Sequence, residues 1–566
     1  MSLLSSIQLA NNALRANQIG LQVVGQNISN AATPGYIREE VVFKPGPTQR
    51  QGKLLLGLGV EVDAVIQKVD KFLLTRLRDA TSDLNGAETR EQAYLELETL
   101  LGELTDTDIS SQLTRFFSNI NEVLNQPDSS SSRNLAALTG EQLAGSLNLL
   151  SERAFNIRQD LNEQVRALGG EVNRLTEEIR RLNVQISETE GGSVSKSDAV
   201  GLRDQREIAL TRLSEILDVR IDEQPSGAAN IAVNGAFLVF EGQRREVNVV
   251  LSSDKGLNVA AIEFADTNEP LDSPSGQLGG LISARDEIVG GFIEKLDEFG
   301  AALAFEFNKI HSSGQGLKGF SQLESEFSLT DSTLALDAAG LTFEPVNGSF
   351  QVLLFNKQTG TTTTTDIRVD LNGLDDDDTT LDSLVADLDA IDGISASITP
   401  TGTVSLTSDS PDQEFAFAED TSHVLAALGL NVFFTGTTAR DLGVSDVILS
   451  DPTRFAASRG GIANDADNAE LLANFLNAPL DAKDGDSLAE LYENFVGSVT
   501  QASATQQAAT EGFRVFQESL NAQHLSISGV SLDDEAVKLL QYQRAYQAAA
   551  RYIAAVSELL NLLTEL

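Results

Sequence analysis

The sequence predicts a multidomain α+β protein in which the N- and C-terminal segments form a long antiparallel α-helical coiled-coil rod that carries β-rich inserted outer domains. Three observations predict it. Both ends of the chain repeat apolar residues every seven positions, a third heptad stretch fills residues 141–188, and two β-branched, alternating blocks interrupt the helical periodicity. At 566 residues the chain exceeds what a single core organises.

The first helix is carried by Ile7, Leu14, Leu21 and Ile28, with Leu3, Ala10, Asn17 and Val24 in the companion seam position. A lone Asn at such a position is a register device. Asn30 and then Pro34-Gly35 stop the helix, since proline disfavours helical geometry before it and glycine tolerates the turn. The last helix mirrors the first. Leu532, Leu539, Tyr546, Ile553 and Leu560 recur at seven, with Tyr542, Ala549, Val556 and Leu563 beside them. Residues 526–531 read as a loop, and Ser531 is a good N-cap ahead of Asp533, Asp534 and Glu535. Narrow apolar seams of this kind want a partner helix rather than a globular core.

Between the ends, Leu161, Leu168, Leu175 and Leu182 interleave with Val165, Val172, Ile179 and Ile186. They predict one helix over 141–188, broken at Gly191-Gly192, with a return helix over 198–217. Asn234-Gly235 predicts a hairpin turn within 231–240. Helical spacing returns over 278–311. A second β-rich block over 341–434 has strands at 349–355 and 366–371 flanking a Thr-rich turn, a helix at 381–388, and strands at 395–398 and 404–407. His423 falls in a helix, and helix resumes near Ala466. The resulting segments are 1–70 (N-terminal axial helix and loop), 71–218 (helical rod), 219–277 (small β-rich domain), 278–320 (middle rod), 321–452 (β-rich outer insertion), 453–525 (C-terminal rod) and 526–566 (C-terminal axial helix).

Composition excludes several functions. With 83 acidic and 40 basic side chains, the formal charge of −43 repels nucleic acid and anionic membranes. Cysteine is absent, which removes disulfides, thiolate metal sites and thiol nucleophiles. No secretory signal and no membrane span is expected. The three histidines, His311, His423 and His524, share no nucleophile or metal spacing and read as structural. Gly57 and Gly59 begin a dinucleotide fingerprint that Val62 ends. Asp375 to Asp378 offers oxygen ligands for Ca²⁺, but adjacent carboxylates on extended chain diverge, and a solvated acidic loop is the better reading. No catalytic residue, metal site or cofactor is expected.

Asn27-Ile28-Ser29-Asn30-Ala31-Ala32-Thr33-Pro34-Gly35-Tyr36 resembles the N-terminal signature of the flagellar rod, hook and hook-associated proteins; its marker residues are Asn27, Asn30, Thr33, Pro34, Gly35 and Tyr36. Gly59-Val60-Glu61-Val62, then Asp70, Phe72-Leu73 and Arg76-Leu77-Arg78, is similar to that family's next block. Residues 528–536 and 542–548, with Gly279-Gly280-Leu281 and Arg285-Asp286, look like the junction member of the hook-associated branch. The resemblance implies a structural subunit outside the cell, at the hook–filament junction of the bacterial flagellum. It implies a ring of copies of the chain, with the hook protein below and a second junction protein above. It also implies passage through the type III export apparatus with a chaperone on the C-terminal helix. On this reading Ile7, Leu14, Leu21, Ile28, Leu532, Leu539, Tyr546, Ile553 and Leu560 are the assembly interface. The alternatives are a hook or rod subunit of the same family, or an adhesin using the outer β-rich block.

Overall fold

The computed structural model describes residues 3–33, 35–51, 53–102, 108–190, 197–374, 377–480, 483 and 485–564. Helix α1 (Leu3–Asn30) stops where its sequence says it should. The Thr33 amide donates to the Asn30 carbonyl at 2.9 Å, and Gly35 adopts φ +76°, the left-handed region glycine enters freely. A two-tier hairpin follows: β1 (Glu39–Pro45), β2 (Thr48–Gln51), β3 (Leu54–Gly57) and β4 (Val60–Gln67), with β1 antiparallel to β4 and β2 to β3. Then come α2 (Lys71–Gly102), α3 (Ile109–Asn125), α4 (Ser130–Glu190) and α5 (Val200–Ile216).

The long helix α4 starts at Ser130 rather than at 141. The serine run that hides the start is its cap: Ser129 Oγ accepts from the Ser132 amide at 3.2 Å. Over 61 residues α4 extends about 90 Å. The predicted Gly191-Gly192 break lies outside the described residues.

Strands β5 (Val219–Glu223), β6 (Ala229–Val233), β7 (Ala236–Phe240) and β8 (Gln243–Arg244) form one antiparallel sheet in that order, and β9 (Val247–Asp254) pairs with β10 (Leu257–Phe264). Asn234 and Gly235 take φ +45° and +86°, as the two-residue turn between β6 and β7 requires. Three asparagines of α4 clip these strands to the helix. Asn162 Nδ2 donates to Asn258 O at 2.9 Å while Oδ1 accepts from the Ala260 amide at 2.7 Å. Asn173 grips both backbone groups of Val247, and Asn183 both groups of Ala229, in the same two-point way. A side-chain amide matches a peptide group donor for donor, so each Asn extends a strand's hydrogen bonding by one residue.

The chain continues through α6 (Gly276–Ser283), a π-helical turn (Ala284–Val289), α7 (Gly290–Ser312), β11 (Gln322–Glu324), β12 (Gly348–Asn356), β13 (Thr361–Val369), α8 (Leu381–Asp389), β14 (Ile394–Ile398), β15 (Val404–Ser408), β16 (Gln413–Ala418) and α9 (Val424–Leu428). It ends with β17 (Phe434–Thr435), β18 (Gly443–Val444), α10 (Asp446–Ser450), α11 (Asp467–Asn474), α12 (Leu488–Ser528) and α13 (Leu532–Thr564).

Three expectations are corrected here. The Thr run is strand, not turn: Thr361 to Thr365 pair with β12, because β-branched side chains suit a pleated surface, and the reversal falls earlier, around Thr359-Gly360. The loop expected over 526–531 is helix as far as Ser528. His423 precedes α9 at φ +59° instead of lying within a helix.

Contacts divide the chain into two compact units. One comprises Met1–Ala93, Gln159–Arg285 and Ala504–Leu566; the other comprises Tyr94–Arg158 and Asp286–Ser503. In the first unit, all eight predicted heptad residues of α4 from Leu161 to Ile186 are buried, and α2 packs on α12 through Leu73, Leu77 and Ala80 against Leu520 and Ile527. In the second, Phe116, Phe117, Phe307, Phe433, Phe434 and Phe475 form one cluster, with neighbouring ring centroids 4.8 to 6.2 Å apart. His311 is buried beside it. Its Nδ1 lies 2.9 Å from Asn431 O and its Nε2 accepts from the Ala456 amide at 3.0 Å, which fixes the neutral Nδ1–H tautomer, and burial holds its pKa down at about 4. The second unit also holds a separate core built from β11–β16 and α8. That core begins at Phe320, Leu323, Leu329 and Leu336, upstream of the 341 start read from the sequence.

Candidate assembly site at the chain termini

Helices α1 and α13 pack antiparallel. Glu535 meets Asn27, and seven residues further along one helix and back along the other the Tyr542 ring meets Gly20, where a Cβ would sit 3.0 Å from ring carbons. The buried stripe on α1 runs through Ala10, Ala16, Gly20, Val23, Val24 and Asn27; on α13 Glu535 and Val556 are buried, with Tyr542 and Ala549 half-buried between them. On α13, Tyr542, Ala549 and Val556 are companion seam positions; on α1 only Ala10 and Val24 are, and Ala16, Gly20, Val23 and Asn27 belong to neither predicted series. Of the predicted interface, Ile7, Leu14, Leu21 and Ile28, with Leu539, Ile553 and Leu560, are half-buried; Tyr546 is exposed and Leu532 is 55% exposed. Small residues let two helix backbones approach closely, and the larger leucines and isoleucines then flank the contact instead of filling it.

One end of this pair is closed by a polar cluster. The Asn27 amide spends its whole hydrogen-bonding capacity there. Oδ1 accepts from the Tyr36 hydroxyl and the Glu39 amide, both at 2.9 Å, while Nδ2 donates to Glu39 O at 3.0 Å and to Glu535 Oε2 at 3.1 Å. Arg38 donates to Glu535 Oε1 from Nε at 2.9 Å and Nη2 at 2.7 Å, and its own amide donates to Ser528 O at 3.0 Å. Asn27, Arg38, Glu39 and Glu535 are all buried. Residues 508 positions apart thus share one buried network.

The local sequence puts each group in place. Asn27 sits in the last turn of α1, and the Gly35 turn swings the chain back so that Tyr36 and Glu39 reach it. Ser531 caps α13, with Oγ accepting from the Asp534 amide at 3.3 Å, which sets Glu535 in the first turn, where the helix dipole favours an anion. Burial would raise the Glu535 pKa, but the bonds from Asn27 and Arg38 outweigh it and hold the carboxyl below the usual range. Among the described residues Glu39 has no cation partner of this kind. Burial, with the Asp204 carboxylate of α5 adding to it, pushes Glu39 up to about 7, and burial pushes Asp204 up to about 6.

The signature residues therefore separate by role. Asn27 and Tyr36 are in the network. Asn30, Thr33 and Gly35 build the turn behind it, with the Thr33 hydroxyl 3.3 Å from Asn30 Oδ1, and Pro34 lies outside the described residues. The sequence patterns pass over Arg38, Glu39 and Asp204 and place Glu535 only in the acidic first turn of the last helix. The available signal was charge in a strand-like stretch directly after a helix stop. Of the acidic run, Asp377 is exposed and Asp378 Oδ1 accepts from the Gly373 amide at 3.0 Å; Asp375 and Asp376 lie outside the described residues.

Residues 94–327 match the model of the flagellar hook-associated protein FlgK helical domain, and residues 521–566 match that of the flagellar basal body rod FlgEFG protein C-terminal region. Flagellar hook-associated protein 1 of Bacillus subtilis is 24% identical, covering 98% of this chain and 96% of its own; that of Escherichia coli is 24% identical, covering 99% of each. The solved flagellar hook junction protein FlgK from Burkholderia pseudomallei aligns with 80% of this chain and 100% of its own, at TM-score 0.49 and 14% identity. The family-model and full-length matches support a structural role in the flagellum. Among such proteins, the chain is similar over nearly its full length to flagellar hook-associated protein 1.

Proposed function

We propose that this chain is a structural subunit of the hook–filament junction, exported to the outside of the cell and required for the filament to grow. The observation that carries the reading is the buried Asn27–Arg38–Glu39–Glu535 network, which joins the family signature to the C-terminal helix within one subunit. In this proposal α1 and α13 form an antiparallel coiled coil in the axial core, and the half-buried leucines and isoleucines along them meet neighbouring copies in a ring. The β-rich block of 321–452 faces outward as an insertion. The hook protein contacts one end of the ring and a second junction protein the other, and before export the C-terminal helix is held by a chaperone of the type III apparatus. The chain positions other proteins and carries out no chemistry. The full-length similarity to two curated hook-associated proteins supports the junction over the hook or rod. The test is a deletion strain. Hooks without filaments, with flagellin shed into the medium, are expected; filaments of normal length in that strain would reject the proposal.

A further inference from the structure

On the first unit, α2 and α12 lie side by side, fixed by Leu73, Leu77 and Ala80 against Leu520 and Ile527. Beside that contact, the Arg76 guanidinium sits 5.9 Å from the Phe72 ring centroid and 5.8 Å from that of Phe516. The rings are not covered by the fold: Phe72 is 73% exposed, Phe516 46% and the adjacent Val515 57%. A single exposed apolar residue is ordinary, but two exposed aromatic rings from different helices beside one cation are not. Arg76 also stands apart from its neighbours in charge. Arg78 pairs with Glu207, and Arg514 pairs with Glu88 and Glu511, whereas Arg76 makes no ion pair among the described residues. In a chain with 83 acidic and 40 basic side chains, a lone arginine beside aromatic rings is placed against the odds of composition.

We propose that the Phe72–Arg76–Phe516 group is a docking point for a carboxylate on a second copy of this chain, an inference that rests on the junction-subunit reading. Both ring centroids lie within 6 Å of the guanidinium carbon, and the N–H groups of a guanidinium are where a carboxylate binds in two-point fashion. Aromatic and arginine side chains are the usual anchors of protein interfaces. Charge selects the occupant. Two copies carrying −43 each repel, so contact between them needs cations that their own subunit has left unpaired, facing the carboxylates both have in excess.

The test uses the full chain assembled in flagella, with a photo-crosslinking phenylalanine analogue at position 72. The expected product is a dimer of this chain, with the second site mapping to an acidic residue. In the purified, exported chain, Arg76→Glu should leave thermal unfolding unchanged and lower incorporation at the junction at least about ten-fold, since it reverses the charge at the contact. A crosslink to a different protein, no crosslink in assembled junctions, or wild-type incorporation of Arg76→Glu overturns the proposal. Should Arg76→Glu not fold, the crosslink in the otherwise unaltered chain still decides. If a deletion strain keeps its filaments, the junction reading falls, yet a copy-to-copy crosslink at position 72 would still uphold this contact.

Discussion

Replacing Glu535 by Ala should undock the two ends of the chain without unfolding the rest. The carboxylate is fully buried and takes four hydrogen bonds, two from Arg38, one from Asn27 and a longer one at 3.4 Å from the half-buried Lys538. Its removal leaves the buried Arg38 guanidinium with only the solvent-exposed Asp534 carboxylate, 4.0 Å away, and breaking a buried pair in this way costs about 3–5 kcal/mol. Glu535→Gln keeps an acceptor in place and should cost less, about 1.5–3 kcal/mol, the worth of a hydrogen bond to a charged group. Hydrogen exchange on the purified chain reads this directly. A loss of about 3–5 kcal/mol in local opening speeds exchange of protected amides in α1 and α13 by about a hundred- to several thousand-fold. Amides of the phenylalanine cluster should be unaffected. The double replacement Arg38→Met with Glu535→Leu should do less harm than Glu535→Ala alone, because it removes both charges and leaves none stranded. Unchanged exchange in α1 on loss of Glu535, or a double variant as damaged as the sum of its singles, would refute the reasoning.

Three further outcomes are expected. His311 has a folded pKa of about 4 against about 6.5 unfolded, so it stabilises fully above pH 6.5 and that stability is lost as pH falls toward 4. About 2.5 kcal/mol should disappear by pH 4.5, and thermal unfolding of His311→Gln should show a correspondingly shallower acid slope; identical slopes would rule this out. Glu39 runs the other way. Its folded pKa of about 7 lies above the unfolded value, so its stabilisation is complete below about pH 4.5 and is lost as pH rises through 7. Glu39→Gln should therefore protect α1 amides at pH 8 relative to wild type and not at pH 5, and the reverse order would contradict the assignment. Finally, joining Gln315 to Asn431 through a short Gly/Ser linker should excise the β11–β16 core cleanly, since Asn431 Nδ2 already donates to Gly314 O at 2.9 Å. Joining Leu336 to Leu442 instead would strand Phe320, Leu323 and Leu329 and remove Phe433 and Phe434 from the phenylalanine cluster, and should aggregate. Size-exclusion chromatography of the two deletions separates these outcomes, and a monodisperse second deletion would count against this boundary.

What was legible in the sequence was what periodicity and turn chemistry record. The α4 heptads, the Asn234-Gly235 turn and the stop after Asn30 each follow from a local pattern, and each is where that pattern says. The misses have local causes too. Ser130 to Ser132 look like loop because serine is a poor interior helix former, yet they stand beside the serine that caps α4. The strand block read over 341–434 omits Phe320 to Leu336, which contribute to the β11–β16 core from short, irregular segments that carry no period to detect. The phenylalanine cluster gathers Phe116, Phe307, Phe433 and Phe475 from four regions of chain, and no spacing links them. At the termini, the repeat identified the right helices but gave the largest residues the central place. Nothing in a heptad says whether its Leu or its Ala position faces the one partner present.

That distinction explains why a polar network sits at the end of the α1–α13 pair. A seam of Ala, Gly and Val is nearly the same after a slide of one turn, so apolar packing alone sets register weakly. Buried charges do the opposite. Shifting α13 by one turn, about 5.4 Å, would carry Glu535 out of reach of both Arg38 and Asn27 and leave each of them buried without its partner. The network thus contributes less to stability than apolar residues of the same volume would, but it is satisfied in one alignment only. With register held at that end, the leucines and isoleucines are free to lie half-covered along the flanks of the pair, where they remain available to neighbouring helices. The signature Asn27 belongs to the register device, and Ile7, Leu14, Leu21 and Ile28 belong to the surface that the device holds in position.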